Sequence, residues 1–150
     1  MKDTMNIILA GRSDLEELAS LFNQYQIFYG KEHDLTCSKQ FIESRFQQKD
    51  SLLYLCKNEG EVLGFSQIYF SFSSVQMRSI WILNDLFVVA KARRKGVAES
   101  LINKILSDVK VQGVARVTLH TQVSNHAAQS LYKKLNFKLD EEFFSFNYVG

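Results

Sequence analysis

Proline is missing altogether from the 150 residues of this chain, where average usage of about 5% would supply several. None of its turns therefore has a backbone angle preset by a ring. Cysteine occurs twice, as Cys37 and Cys56. Two such residues make no disulfide framework and have no metal-ligand spacing, so free thiols, no bound metal and a reducing cytoplasm are expected. Long apolar runs are lacking too, and nothing approaches the roughly 20 residues that span a bilayer. Met1 to Ala10 is too short an apolar stretch for a signal peptide, and Arg12, Asp14 and Glu16 follow at once. A soluble intracellular protein without a membrane partner is expected. No one charge sign prevails either: Lys and Arg number 18, Asp and Glu 16, for a formal net charge of +2. That balance excludes the basic stripe of a dedicated nucleic-acid binder.

What the chain has is apolar bulk. Hydrophobic residues make up 46% and aromatics 13%, enough for a core of large side chains in one domain over residues 1–150. Residues 6–9 read as a strand. Ser13-Asp14-Leu15-Glu16 carries a capping-box pattern, with Ser13 accepting from backbone N–H groups and Glu16 reaching back. Leu15, Leu18, Leu21, Phe22 and Tyr25 then recur at helical spacing. Gly30 is placed to end that region, and Ser38 to cap a second helix through Phe41, Ile42 and Phe46. Residues 51–56 and 62–71 form a hairpin about Asn58-Glu59-Gly60, and a strand over about 76–88 follows. Gly96 opens a helix whose apolar face is Val97, Leu101, Ile102, Ile105, Leu106 and Val109, and Gly113 is placed to end it. A strand over 114–121, a helix from Asn125 and strands over 135–139 and 143–148 complete the chain. The order β-α-α-β-β-β-α-β-α-β-β predicts an α+β fold, a mixed sheet covered by helices.

One junction in that order carries chemistry. The apolar strand ending at Val88 and Val89 runs into Arg93-Arg94-Lys95-Gly96-Val97-Ala98 and then a helix. Such a turn leaves backbone N–H groups unpaired, and the helix start adds roughly half a positive charge, a recipe for holding phosphate. Lys91 extends the same basic cluster. A few positive charges beside a glycine turn suit one polyphosphate better than a duplex.

A second segment follows: Asn125-His126-Ala127-Ala128-Gln129-Ser130-Leu131-Tyr132, ending at Asn136-Phe137. Together the two stretches resemble the GNAT superfamily of N-acetyltransferases. Arg93, Gly96 and Ala98 match its Arg/Gln-x-x-Gly-x-Gly/Ala signature. Asn125, Ala128, Leu131, Tyr132 and Phe137 match its second pattern. Asn136 stands at that pattern's glycine and tolerates a left-handed backbone better than most residues. The family's usual proline after the coenzyme strand is replaced by Ala90 or Lys91. The likeness covers residues 76–148 well and the first half loosely, and it leans toward compact members similar to diamine, polyamine and small histone acetyltransferases.

The resemblance implies the GNAT fold, a mixed and mostly antiparallel sheet of about seven strands flanked by four helices. It implies acetyl-CoA as co-substrate and transfer of acetyl to a primary amine by direct attack in a ternary complex. Main-chain groups of Leu86, Phe87 and Val88 would hold the pantetheine arm, and the amide of Phe87 or Val88 would donate to the thioester oxygen. Amides of Arg94, Lys95, Gly96, Val97, Ala98 and Glu99 would cradle the pyrophosphate, with the Arg93, Arg94 and Lys95 side chains adding charge. Tyr132 is the candidate general acid, since a phenol of pKa about 10 is protonated at neutral pH. Asn125 shares its helix face. Asp85 and Asn84, on the strand facing the thioester, are candidates for removing the amine proton, acting through water. Tyr29, Glu32 and Asp34 follow the first helix, where the family places substrate recognition. Their acidity suits a small cationic amine such as a polyamine or an amino compound. A protein lysine or N-terminus stays open as acceptor, as does a non-catalytic acyl-CoA-binding module. Pairing of compact members through terminal strands, together with the aromatic runs at 69–72 and 143–146, leads us to expect a homodimer.

Overall fold

Short-range pairing builds most of the sheet. In the computed structural model, which describes residues 5–150, Glu59 and Gly60 both have positive φ, 52° and 82°. That is the two-residue hairpin turn whose twist matches its strands. It joins β2 (Ser51–Asn58) to β3 (Glu61–Ser73), and β4 (Arg78–Val88) returns antiparallel along β3. β1 (Asn6–Leu9) lines the outer edge of β2, and β5 (Val117–Leu119) runs parallel to β4, giving the order β1-β2-β3-β4-β5. The chain divides into two units, one up to His120 and one from Thr121 onward. The five strands belong to the first.

Three helices of this unit cover the sheet. α1 (Leu15–Phe28) and α2 (Leu35–Gln48) lie on one face, where Leu18, Leu21, Phe22 and Ile42 bury against Leu53, Leu55, Phe65 and Phe87. Side chains alternate along a strand, so Tyr54 points to the opposite face. Its hydroxyl donates to Asp108 of α3 (Val97–Gln112) at 2.7 Å. Val97, Leu101, Ile102 and Ile105 give α3 its buried stripe. Gly64 sits where α3 crosses β3. A Cβ there would fall 2.8 Å from the Phe87 carbonyl oxygen and 3.1 Å from Val97 Cγ1.

The helix starts differ from the capping pattern. No side chain caps α1, so Ser13 and Glu16 do not form the box. Instead Asp14 accepts from the Gly11 amide at 2.8 Å and pairs with Lys57 of β2 at 2.5 Å. α2 likewise begins before Ser38: Asp34 caps it by accepting from the Cys37 amide at 3.0 Å, and Ser38 is buried in the first turn. In both places a carboxylate makes a charge-assisted bond that a hydroxyl cannot match. The Lys57 hydrogen bond, with help from Gly11 and against burial, holds the Asp14 carboxyl below its ordinary value. A depressed carboxyl contributes stability above its unfolded pKa of about 3.9 and loses it as pH falls through the folded value. Asp14→Asn is therefore expected to lower stability by about 1–2 kcal/mol at pH 7. The gap to wild type is expected to close toward pH 3, as read from melting temperatures at both pH values.

The second unit holds α4 (His126–Lys134). Asn125 caps it, accepting from the Ala128 amide at 3.1 Å. Asn136 takes the left-handed conformation expected of it, φ 70°, and the Phe137 amide closes back on the Tyr132 carbonyl at 2.9 Å. Residues 135–139 and 143–148, expected as strands, pair with nothing as strands among the described residues. Asp140 takes the Glu142 and Phe143 amides at 2.9 and 3.1 Å. This local turn uses a donor that a ladder would need. Among the described residues the sheet thus has five strands rather than about seven, with four α-helices, and the expected α+β arrangement of a mixed sheet covered by helices stands. Among the described residues no helix is long and apolar enough to cross a membrane.

Candidate functional site

β4 carries the site because its regularity breaks. Gln67 pairs with Asp85 and Ile68 with Leu83, leaving Asn84 as the extra residue of a bulge. The bulge puts Asn84 at the surface next to Asp85, which is only 5% exposed. Asp85 accepts hydrogen bonds at both oxygens, from Asn84 Nδ2 at 3.2 Å and from Gln67 Nε2 at 2.9 Å.

Asn84 and Asp85 line an open cleft of about 470 Å³ whose walls include Phe22, Phe41 and Tyr69. Glu32 and Asp34 line it from the loop after α1, with Lys31 the one cation of that stretch. Asn23 of α1 anchors this loop, bonding His33 Nδ1 at 2.8 Å and accepting from the Asp34 amide at 3.0 Å. The Cys37 amide, followed by the Cys37 side chain, keeps the Asp34 carboxyl below its usual range. Four of the residues named from sequence, Glu32, Asp34, Asn84 and Asp85, thus share one cleft. Tyr29 is not among its lining residues. Its ring packs edge-on against Tyr25 and Phe28, with centroids 5.0 and 5.3 Å away. Tyr69 entered the sequence reading only within the aromatic run at 69–72, not as a site residue. Burial, followed by the nearby Asp85 charge, pushes its phenol up to about 12, so the hydroxyl stays protonated across the neutral range. The signal for it was strand alternation, which sets Phe65, Gln67 and Tyr69 on one face.

Beyond Asp85 the strand presents its main chain. β5 pairs only with residues 81–83 of β4. The Val89 amide donates to Leu63 of β3 at 3.0 Å. Antiparallel alternation then turns the amides of Leu86 and Val88 to the open edge, and that of Phe87 toward β3. Phe87 contributes a buried ring to the aromatic cluster instead.

A 3-10 turn at Ala90–Ala92 leads from β4 to the basic segment. Arg94 and Gly96 have φ of 62° and 82°, a backbone that makes a concave run of amides suited to anions. The first α3 hydrogen bond runs from Ser100 to Gly96 at 3.0 Å, and no side chain caps the helix. The amides of Val97 and Ala98 thus have no acceptor within α3. A Cβ at Gly96 would meet nothing within 4 Å, so the space over the turn is open. Amides, open space and the exposed Arg94 and Lys95 fit a polyphosphate group. Arg93 is engaged elsewhere. Its guanidinium lies 5.3 Å over Phe28 and 5.7 Å over Phe87, and its Nε donates to the Val88 carbonyl at 3.0 Å. Lys91 pairs with Glu61.

In the second unit, Asn125 is the α4 cap described above. Tyr132 is half-buried in α4, its ring 5.8 Å from Phe137. Among the described residues no group of three or more His, Cys, Asp or Glu is arranged to hold a metal ion.

Comparison with known proteins follows the same lines. The family model for acetyltransferases of the GNAT family matches residues 15–137. An uncharacterized N-acetyltransferase of Bacillus subtilis (strain 168), YhfO, is 40% identical over 139 residues, 93% of each chain. The crystal structure of a probable acetyltransferase matches with a TM-score of 0.92 and 36% identity, covering 96% of this chain and 97% of that one. The aminoglycoside N-acetyltransferase AAC(6')-Iy, solved in complex with CoA, shares the fold. Its TM-score is 0.81 at 19% identity, over 99% of this chain and 97% of that one.

Proposed function

Because the chain belongs to the GNAT acetyltransferase family, we propose that it moves acetyl from acetyl-CoA to the primary amine of a small cationic acceptor. One observation carries the acceptor class. The cleft beside the coenzyme strand is lined by Glu32, Asp34 and Asp85 against a single lysine, with aromatic walls. Carboxylates draw an ammonium in, and rings accommodate its carbon chain. The family match runs from residue 15 to 137, which supports reading residues 1–150 as one domain.

The coenzyme supplies an activated thioester. The rest is the work of this chain. Amides of Val97 and Ala98 and the positive end of α3 receive the pyrophosphate, flanked by Arg94 and Lys95. Leu86 and Val88 offer main-chain groups to the pantetheine arm. The Val88 amide donates to the thioester oxygen as negative charge develops there. An aliphatic ammonium, of pKa about 10.4, must lose a proton before it can attack. Asp85 takes that proton, directly or through a water held by Asn84. As the new C–N bond replaces the C–S bond, Tyr132 gives a proton to the leaving thiolate and is restored by the second proton that the attacking nitrogen sheds, so the products are an acetamide and a free thiol.

Thiol release with acetyl-CoA across polyamines, amino acids, aminoglycosides and short peptides tests this reading. A cationic amine is expected to give turnover, with Tyr132→Phe lowering it about tenfold or more at unchanged acetyl-CoA affinity. A silent panel with acetyl-CoA binding intact would overturn the small-amine acceptor.

A further inference from the structure

We propose that Gln67 is a positioning residue for the acetyl transfer, holding the Asp85 carboxylate in the orientation that receives the amine proton. The inference rests on the reading of Asp85 as proton acceptor. A glutamine that is 0% exposed is unusual, because its amide must find partners away from water. Both ends of Gln67 have them. Ser51 donates to Oε1 at 3.0 Å, and Nε2 donates to Asp85 Oδ2 at 2.9 Å. The carboxylate contact fixes which end of the amide points where. An ionised Asp85 on β4 can only accept, so the NH2 group faces it and the amide oxygen is left to accept from the Ser51 hydroxyl on β2. The chain Ser51–Gln67–Asp85 therefore crosses three adjacent strands.

Its setting argues for a role beyond packing. Leu53, Leu55, Phe65 and Phe87, which share this face of the sheet, are apolar and buried. The polar line appears where the face gives way to the cleft, and Asp85 lines the cleft while Gln67 stands behind it. Asn84 holds the other carboxylate oxygen at 3.2 Å. Each oxygen thus keeps acceptor capacity for an incoming N–H. The titratable groups around this cleft are Tyr69 of β3, Lys31, Glu32 and Asp34 of the loop, and Cys37 of α2. Arg45 and Asp50 act on Tyr69 from farther off.

The test compares wild type, Gln67→Glu, Gln67→Met, Ser51→Ala and Asp85→Asn. It records pH profiles of kcat/KM, acetyl-CoA affinity by calorimetry, and melting temperature. Gln67→Glu puts a second carboxylate beside the first, so the acid limb of the profile is expected to move up by about one unit or more. Acetyl-CoA affinity is expected to stay within about twofold, because the relay does not touch the coenzyme turn. Gln67→Met is expected to lower kcat about tenfold with KM little changed, and Ser51→Ala to act in the same direction by about threefold. A purely structural Gln67 would lower the melting temperature and leave the limb in place. If Asp85→Asn is inactive while Gln67→Glu keeps the wild-type limb, the positioning role is overturned and the base survives. If Asp85→Asn keeps wild-type turnover, the base reading itself falls. Should the Gln67 variants fail to fold, an unchanged kcat in Ser51→Ala overturns the relay.

Discussion

Asp85→Asn is expected to lower kcat/KM by about 10²–10⁴-fold at neutral pH, with acetyl-CoA affinity and folding close to wild type. Asparagine has the same shape and keeps one oxygen to accept from Gln67 or Asn84. It cannot take a proton. Removing a carboxylate that is only 5% exposed also relieves a desolvation cost, so no loss of stability is expected. The remaining rate then depends on amine already neutral in solution. It is expected to rise about tenfold per pH unit below the ammonium pKa of about 10.4. Wild-type activity in the variant would remove Asp85 from proton transfer. A flat pH profile at low rate would mean that another step limits turnover.

Gly64→Ala is expected to be the most damaging single methyl in the first unit. The new Cβ would sit 2.8 Å from the Phe87 carbonyl oxygen, 3.1 Å from Val97 Cγ1 and 3.4 Å from Val88 Cγ2. The nearest atom is backbone in a ladder and cannot swing aside. Overpacking of this kind costs about 1–3 kcal/mol, and the rigid contact places this case at the upper end. For a chain of this size that is a melting-temperature loss of roughly 4–10 °C. The strain falls on β4 at the residues proposed to hold the coenzyme arm, so the KM for acetyl-CoA is expected to rise with the instability. A melt within a degree of wild type would mean that β3 and β4 separate without penalty.

The geometry of the basic turn before α3 could be read from the sequence because its determinants are local. A glycine ahead of an apolar helical stripe, with basic residues before it, needs no distant partner, and Gly96 is left-handed at the α3 start. Asn136 was legible for the same reason. The capping of α1 was not, since Asp14 is held by Lys57 from the second strand. Gln67 and Tyr69 were hidden differently. Alternation says which side chains share a face, but not where a helix stops covering it, and the bulge at Asn84 shifts the phase on the partner strand. The aromatic alternation at 143–148 describes a strand's side chains. It says nothing of whether a neighbouring backbone is there to pair.

Arg93 bears on how the turn would meet the polyphosphate proposed for it. Its guanidinium is laid across Phe28 and Phe87, and its Nε ties down the Val88 carbonyl. In a chain without proline, this arginine takes over a ring's task of limiting the shapes the segment can sample. A binding loop that arrives disordered loses about 0.5–1.5 kcal/mol for each flexible side chain it must immobilise. A loop braced beforehand keeps that free energy for the ligand. The grip on a polyphosphate proposed for this turn therefore depends on preorganisation as well as on charge, and the residue that confers it need not touch the phosphate.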